Sequence, residues 1–261
     1  MPSTNHTAIC PHAPPSWVRD DLGAPTGYGV RIGVIDSGWD RTQVVKQVFS
    51  GVGLVDPEDD LALRHTNDYH DRIGHGTACT DLILRIAPDV TIHPIRIFGE
   101  RLETSMPTLR AALRWAVEQQ LHVVNISLGT LRDDALRPLY AACEVARRQG
   151  LIIVAATRTG NTWSYPAVFD NVISVGIAGL DSPFSYLYRP GHSIECLAKG
   201  LEQRVRFLGG VETVVSGTSF AAPNITGLVA LFLERYPRAR LYDVRRLLAQ
   251  YALPMDAYAA Y

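Results

Sequence analysis

An α/β fold with a mostly parallel central sheet and helices on both faces is predicted from three observations. Apolar runs of strand length alternate along the chain with segments whose apolar residues recur at helical spacing. The runs lack a polar alternate face, as strands covered on both sides do. One of them, Val30 to Ile35, closes on Asp36-Ser37-Gly38, an acid at the carboxyl end of a strand, where open α/β sheets keep their functional groups.

Prolines and glycines recur as far as Gly29, so the opening is read as irregular, with residues 1–16 a lead-in that Trp17 helps tie down and residues 17–261 a single domain. After the first strand, residues 51–72 are polar and turn-rich, with Asp56, Asp59, Asp60, Asn67, Asp68 and Asp71, and are expected to run as surface loops. A strand is expected over Val90 to Phe98. In the helix from Pro107 to Gln119, Leu109, Ala112, Leu113 and Ala116 form one face. The strand Val123 to Leu128 leads into the turn Gly129-Thr130. A helix over Asp134 to Arg148 stops at Gly150, and the buried strand Leu151 to Ala156 follows.

At 261 residues, 47% hydrophobic and 20% charged, the chain can bury a large core. Its formal charge is −1 and no Lys or Arg run is long enough to follow a phosphate backbone or an anionic bilayer, so neither nucleic acid nor membrane is expected as a partner. No apolar stretch reaches spanning length, and Met1-Pro2-Ser3-Thr4-Asn5-His6 lacks a basic region followed by an apolar one, so a cytoplasmic location is expected. Cys10, Cys79, Cys143 and Cys196 show neither a CxxC pair nor metal-ligand spacing. They are read as free thiols, and no metal or other cofactor is expected.

The stretch Gly217-Thr218-Ser219-Phe220-Ala221-Ala222-Pro223 is a small-residue turn entering an apolar helix that continues through Ile225, Leu228, Val229, Leu231, Phe232 and Leu233. A hydroxyl there sits where helix N–H groups and the dipole favour developing negative charge, although a serine before a helix is also an ordinary N-cap. His75 lies between Gly74 and Gly76 at the start of a second apolar segment, where glycines let other backbone approach the ring. His65, His70, His93, His122 and His192 are read as structural. Together Asp36, His75 and Ser219 supply an orienting carboxylate, a general base and a nucleophile, the parts that acyl transfer requires.

The blocks Val34-Ile35-Asp36-Ser37-Gly38, His75-Gly76-Thr77 and Gly217 to Pro223 resemble the three signature blocks of the subtilisin-like serine peptidases. The similarity extends to Asn125-Ile126-Ser127-Leu128-Gly129, Tyr165-Pro166-Ala167 and Ser182-Pro183-Phe184-Ser185, covering roughly residues 17–250. The resemblance implies a three-layer subtilisin-like fold and a serine endopeptidase acting on peptide or protein substrates. Ser219 would attack the scissile carbonyl, His75 would carry the proton, and Asp36 would hold the imidazole. Ser127, Leu128 and Gly129 would form the strand on which an extended peptide docks, and Ala155, Ala156 and Thr157 the opposite wall of the specificity pocket.

Three departures from the family pattern bear on function. Where the family places an asparagine as oxyanion donor, this chain has Ala155-Ala156-Thr157-Arg158-Thr159-Gly160-Asn161. Ungapped alignment puts Thr159 there, and a two-residue insertion would bring in Asn161 instead. Arg158 beside the pocket wall would favour an acidic substrate side chain. Residues 79–88 lack the loop that in many relatives binds calcium, so no calcium is expected at that place. Cys79, four residues after His75, resembles the cysteine of the thiol-containing branch of the family and is read as a buried neighbour of the histidine. Only 35 residues precede Asp36, which leads to the expectation that the chain folds without a propeptide and processes a precursor peptide in the same cell. The altered 157–161 loop also leaves open a peptide-binding relative with weak catalysis. An esterase fits less well, because the groove-forming strand suits a peptide backbone.

Overall fold

The computed structural model describes residues 23–55 and 64–255; the expected lead-in 1–16, Trp17 and Cys10 lie outside them. The strands are β1 (Arg31–Asp36), β2 (Val52–Val55), β3 (Arg64–Thr66), β4 (Thr91–Arg96), β5 (Val123–Ile126), β6 (Ile152–Ala156), β7 (Ile173–Ala178), β8 (Tyr186–Tyr188), β9 (Cys196–Lys199), β10 (Gln203–Arg206) and β11 (Glu212–Val215). The helices are α1 (His75–Ile86), α2 (Met106–Glu118), α3 (Asp133–Arg148), α4 (Thr218–Arg235) and α5 (Leu241–Tyr251). Nine strands form one sheet in the order β3-β2-β4-β1-β5-β6-β7-β9-β8, parallel except for the edge strands β3 and β8, while β10 and β11 make a separate hairpin.

Alternate side chains of the central strands feed two cores. Ile32 and Val34 of β1, and Ile152 and Val154 of β6, join α1, α4 and α5 on one face. Ile35, Ile153 and Ala155 join α2 and α3 on the other. This period-2 division between two helical layers is the physical reason the central strands read as unbroken apolar runs. From β1 the chain passes out to β2 and the edge strand β3, returns through α1 to β4 beside β1, then crosses through α2 to β5 on the far side of β1. The order reverses there, so the carboxyl ends of β1 and β5 flank a switch-point crevice.

Segment 51–72 departs from the expected surface loops. Its described residues form β2, paired in parallel with β4, and β3 at the sheet edge, while Asp71 is buried. Strands of four and three residues are too short to show a period, and the donors that make burial of Asp71 tolerable come from later in the chain.

Helix α4 is the hub of its layer. Fifteen of its eighteen residues are buried, which explains why its sequence has no polar face. A Cβ at Gly227 would come 2.8 Å from the Cβ of Ile86, so glycine sets how closely α4 approaches α1. Since α1 carries His75 and α4 carries Ser219, that spacing reaches the functional site. Gly227→Val is expected to cost ~1–3 kcal/mol through overpacking, seen as a lower urea midpoint with an unchanged slope; an unchanged midpoint would show that the helix contact tolerates a larger side chain.

Candidate active site

Asp36 ends β1 with no exposed surface. Its carboxylate accepts from the Ser37 N–H at 2.7 Å and meets His75 Nδ1 through both oxygens, at 2.8 and 3.0 Å. The contact depends on the first turn of α1 lying against the loop after β1. A Cβ at Gly76 would come 2.5 Å from the Gly38 carbonyl and 3.2 Å from Asp36 Cβ, so the residue after the histidine has to be small. Ser37 Oγ accepts from the Gly76 N–H at 2.8 Å.

The start of α1 is capped by a residue distant from the usual cap position. Asp71 accepts from the Ile73 and Gly74 N–H groups through one oxygen, and from the Thr77 N–H and hydroxyl through the other. These bonds satisfy otherwise unpaired amides and place negative charge at the positive end of the helix.

Burial disfavours the charged form of His75, but the Asp36 carboxylate outweighs it, and the imidazole titrates above its ordinary value of 6.5. Beneath the ring lies buried Cys79, its sulfur 3.9 Å from His75 Nδ1, 3.8 Å from Asp36 Oδ2 and 3.5 Å from Ser127 Oγ. Burial raises the thiol pKa, so Cys79 is a protonated packing neighbour, as the sequence suggests. Among the described residues, the ligand-type side chains grouped closely enough for a metal ion are these same three, Asp36, His75 and Cys79. Two of them are already bonded to each other.

Ser219 lies in the first turn of α4, where its N–H has no intrahelical acceptor. Its hydroxyl donates to the Ser127 carbonyl at 3.1 Å, whereas Ser127 Oγ donates back to the Ser219 carbonyl at 2.9 Å. The structure therefore brings the serine to the end of β5 with its hydroxyl bonded to a carbonyl in place of the imidazole. Asn125, fully buried, supports this pairing by donating to Ser127 Oγ at 2.9 Å and accepting from the Thr226 hydroxyl of α4 at 3.0 Å. The Phe220 ring lies 5.1 Å from the His75 ring.

Of the expected pocket residues, Leu128 and Gly129 make no backbone hydrogen bond among the described residues, which leaves an open strand end. A cleft of about 560 Å³ lies against it, lined by Leu128, Gly129, Phe98, Leu102 and Met106. Ala156 is buried at the end of β6, and Arg158 is exposed, its backbone paired with Thr162 across a tight turn. Asn161 is corrected as an oxyanion candidate. Its amide accepts from the Ile177 N–H at 2.7 Å and donates to the Ile177 carbonyl at 3.0 Å, so it clamps the loop to β7. Thr159 is exposed, and its hydroxyl has no partner among the described residues.

Two buried acids that the sequence leaves unmarked hold the β10–β11 hairpin, which leads into Ser219, to the rest of the site. Asp40 accepts from Thr42 Oγ1 at 2.7 Å, Gln43 Nε2 at 3.1 Å and the Gly209 N–H at 2.7 Å. Burial alone would raise its pKa, but these donors hold it at about 2, against 3.8. Asp81 of α1 accepts from the Arg206 N–H at 3.0 Å and pairs with the Arg206 and Arg85 guanidinium groups.

A buried acid bound to an imidazole, close to a serine at a helix N-terminus, on the carboxyl edge of a parallel sheet, is the equipment of a serine hydrolase. The subtilase family model matches residues 27–259, and the chain belongs to that family as a subtilisin-like serine endopeptidase. It is 28% identical over 241 residues to subtilisin DY of Bacillus licheniformis, covering 87% of this chain and 84% of that one. To the thermostable alkaline protease of Halalkalibacterium halodurans it is 25% identical, over 90% of this chain and 65% of the relative. Its fold is like that of a cold adapted subtilisin-like serine proteinase, with a TM-score of 0.71 at 24% identity over 87% of this chain and 83% of the other.

Asp40 contributes stability that is present above pH 3.8 and lost as the pH falls through about 2. Asp40→Ala is thus expected to lower stability by about 2 kcal/mol at neutral pH. The gap between wild type and variant should close in acid; a gap that persists at the lowest pH would mean the carboxylate charge is not what holds the hairpin.

Proposed function

We propose that Asp36, His75 and Ser219 act as one catalytic unit in peptide-bond hydrolysis, and that the enzyme makes limited cuts in a precursor peptide. The observation that carries the first part is the buried, doubly bonded contact of Asp36 with His75 Nδ1. It fixes the tautomer, so Nε2 is left as the base and the imidazolium is stabilised when it forms. An extended substrate adds to the open end at Leu128 and Gly129, with a side chain in the adjoining cleft. Its N–H groups compete for the Ser127 carbonyl, and the released Ser219 hydroxyl turns to His75 Nε2, attacks the scissile carbonyl and hands its proton to the ring. The oxyanion is met by the Ser219 N–H and the Thr159 hydroxyl. His75 then protonates the leaving amine, and water repeats the sequence on the acyl-enzyme.

Limited processing is supported by Arg158, exposed two residues beyond the buried Ala156, whose charge favours an acidic substrate side chain although it does not line the cleft at Leu128. The resting bond of Ser219 to Ser127, and the engagement of Asn161 with β7, favour a second reading in which the chain binds peptides and cleaves them weakly.

Fluorophosphonate treatment followed by intact-mass analysis separates the two readings: a single adduct on the wild type and none on Ser219→Ala is expected, and no adduct on folded wild type would support the binding role. Asp36→Asn should lower kcat about 10⁴-fold. Because the folded-state pKa of His75 is raised and activity needs its neutral form, kcat/KM should rise with pH through a midpoint above 6.5. A midpoint at or below that value would contradict the assigned coupling. Thr159→Val is expected to reduce kcat ~10²-fold with little change in KM; no loss would assign the oxyanion to other donors. A peptide-library digest should show few cleaved bonds, enriched in acidic residues, and rapid cutting of casein at many sites would sink the processing role.

A further inference from the structure

A second cleft, of about 610 Å³, opens at the amino edge of the sheet, at the opposite ends of the strands from Asp36 and Ser219. Four elements converge on it: the starts of β1 and β5 at Arg31 and His122, the turn after α3 at Gln149 and Gly150, and the connection from α4 to α5 at Pro237 to Arg240. Among the described residues its lining includes Arg31, His122, Arg238 and Arg240 and no Asp or Glu, the nearby Asp243 carboxylate being engaged by the Arg240 N–H at 3.0 Å. In a chain with 25 basic and 26 acidic residues, such separation of charge is local.

Three of these groups, Arg31, Arg240 and His122, are held in place. Arg31 Nη2 is anchored on the Gln120 carbonyl at 2.6 Å. The Arg240 guanidinium lies over Gly150, in the space that a side chain there would fill. Arg238 and Arg240 form no ion pair among the described residues. The Arg31 N–H donates to His122 Nδ1 at 2.9 Å, which places the imidazole proton on Nε2. That N–H has no partner among the described residues and belongs to a half-buried ring lining the cleft. Burial, reinforced by the Arg31 charge, keeps His122 neutral, so it acts as a fixed donor.

We propose that this cleft binds a tetrahedral oxyanion, a phosphate or sulfate group, and that its occupation ties the α4–α5 connection to the amino edge of the sheet. Guanidinium forks match the paired oxygens of such a group, and the lack of a carboxylate in the described lining lowers the repulsion that would oppose it. Charge-assisted bonds from separate elements would couple binding to the stability of the fold.

The test is thermal unfolding of the full chain in inorganic phosphate, with chloride keeping the ionic strength constant. Wild type and the double variant Arg238→Ala, Arg240→Gln are compared; both side chains are exposed and form no ion pair among the described residues. A saturable rise in wild-type Tm is expected, with half-saturation shifted at least ~10-fold in the variant. An equal rise in both, or a rise that chloride reproduces, overturns the proposal. Titration of wild type with phosphate, followed by the His122 imidazole NMR signals, gives a readout that does not depend on the variant folding; unmoved signals also overturn it. A parallel titration with glycerol 3-phosphate distinguishes a free ion from a phosphate carried on a small molecule. Tighter binding of the organic phosphate assigns the cleft to the carried group, and equal binding assigns it to the free ion.

Discussion

A carboxylate removed from water needs donors to replace its hydration, and Asp36 finds them in the His75 ring and the Ser37 amide. Because β1 ends inside the molecule, the compensating ring has to be brought to it. That requirement fixes the placement of α1 against the loop after β1, the small residue at Gly76 and the capping of α1 by Asp71. The paired acid and ring thus tie the end of a central strand to the start of a packed helix, and further contacts are referred to that frame.

Ser219 arrives from the other direction, on a helix buried all round and joined to β5 by the chain of bonds through Thr226, Asn125 and Ser127. The β10–β11 hairpin leads into it and is held by Asp40 in the loop after β1 and by Asp81 in α1. The segments carrying Asp36 and His75 therefore each hold the approach to Ser219 through a buried carboxylate. The positions of the three side chains are coupled through backbone donors as well as through their own contacts.

Much of this could be read from the chain alone, for identifiable reasons. The strand ending at Asp36, the helix opening at His75 and the turn entering α4 carry their own local signals: an apolar run with an acid at its end, and small residues before apolar helical segments. Family membership, expected from several such blocks in order, is established by the match over residues 27–259. Asp40, Asp71 and Asp81 were hidden among ordinary polar residues: Asp40 and Asp81 are distinguished by donors from the hairpin more than a hundred positions away, and Asp71 by the way the next turn folds its amides back onto the carboxylate. The choice between Thr159 and Asn161 was likewise undecidable locally. The amide of Asn161 is engaged by Ile177, sixteen residues later, and only the folded chain juxtaposes them.

The burial of α4 has a consequence for when the molecule can act. A helix enclosed on all sides, packed on α1 and on β5, β6, β7 and β9, has no stable partner surface until α1 and that half of the sheet are in place. Ser219 rides on its first turn, so its geometry depends on the packing that encloses the helix. The meeting of Ser219 with the strand end at Ser127 is then a property of the completed core, and it disappears with that core when the fold opens.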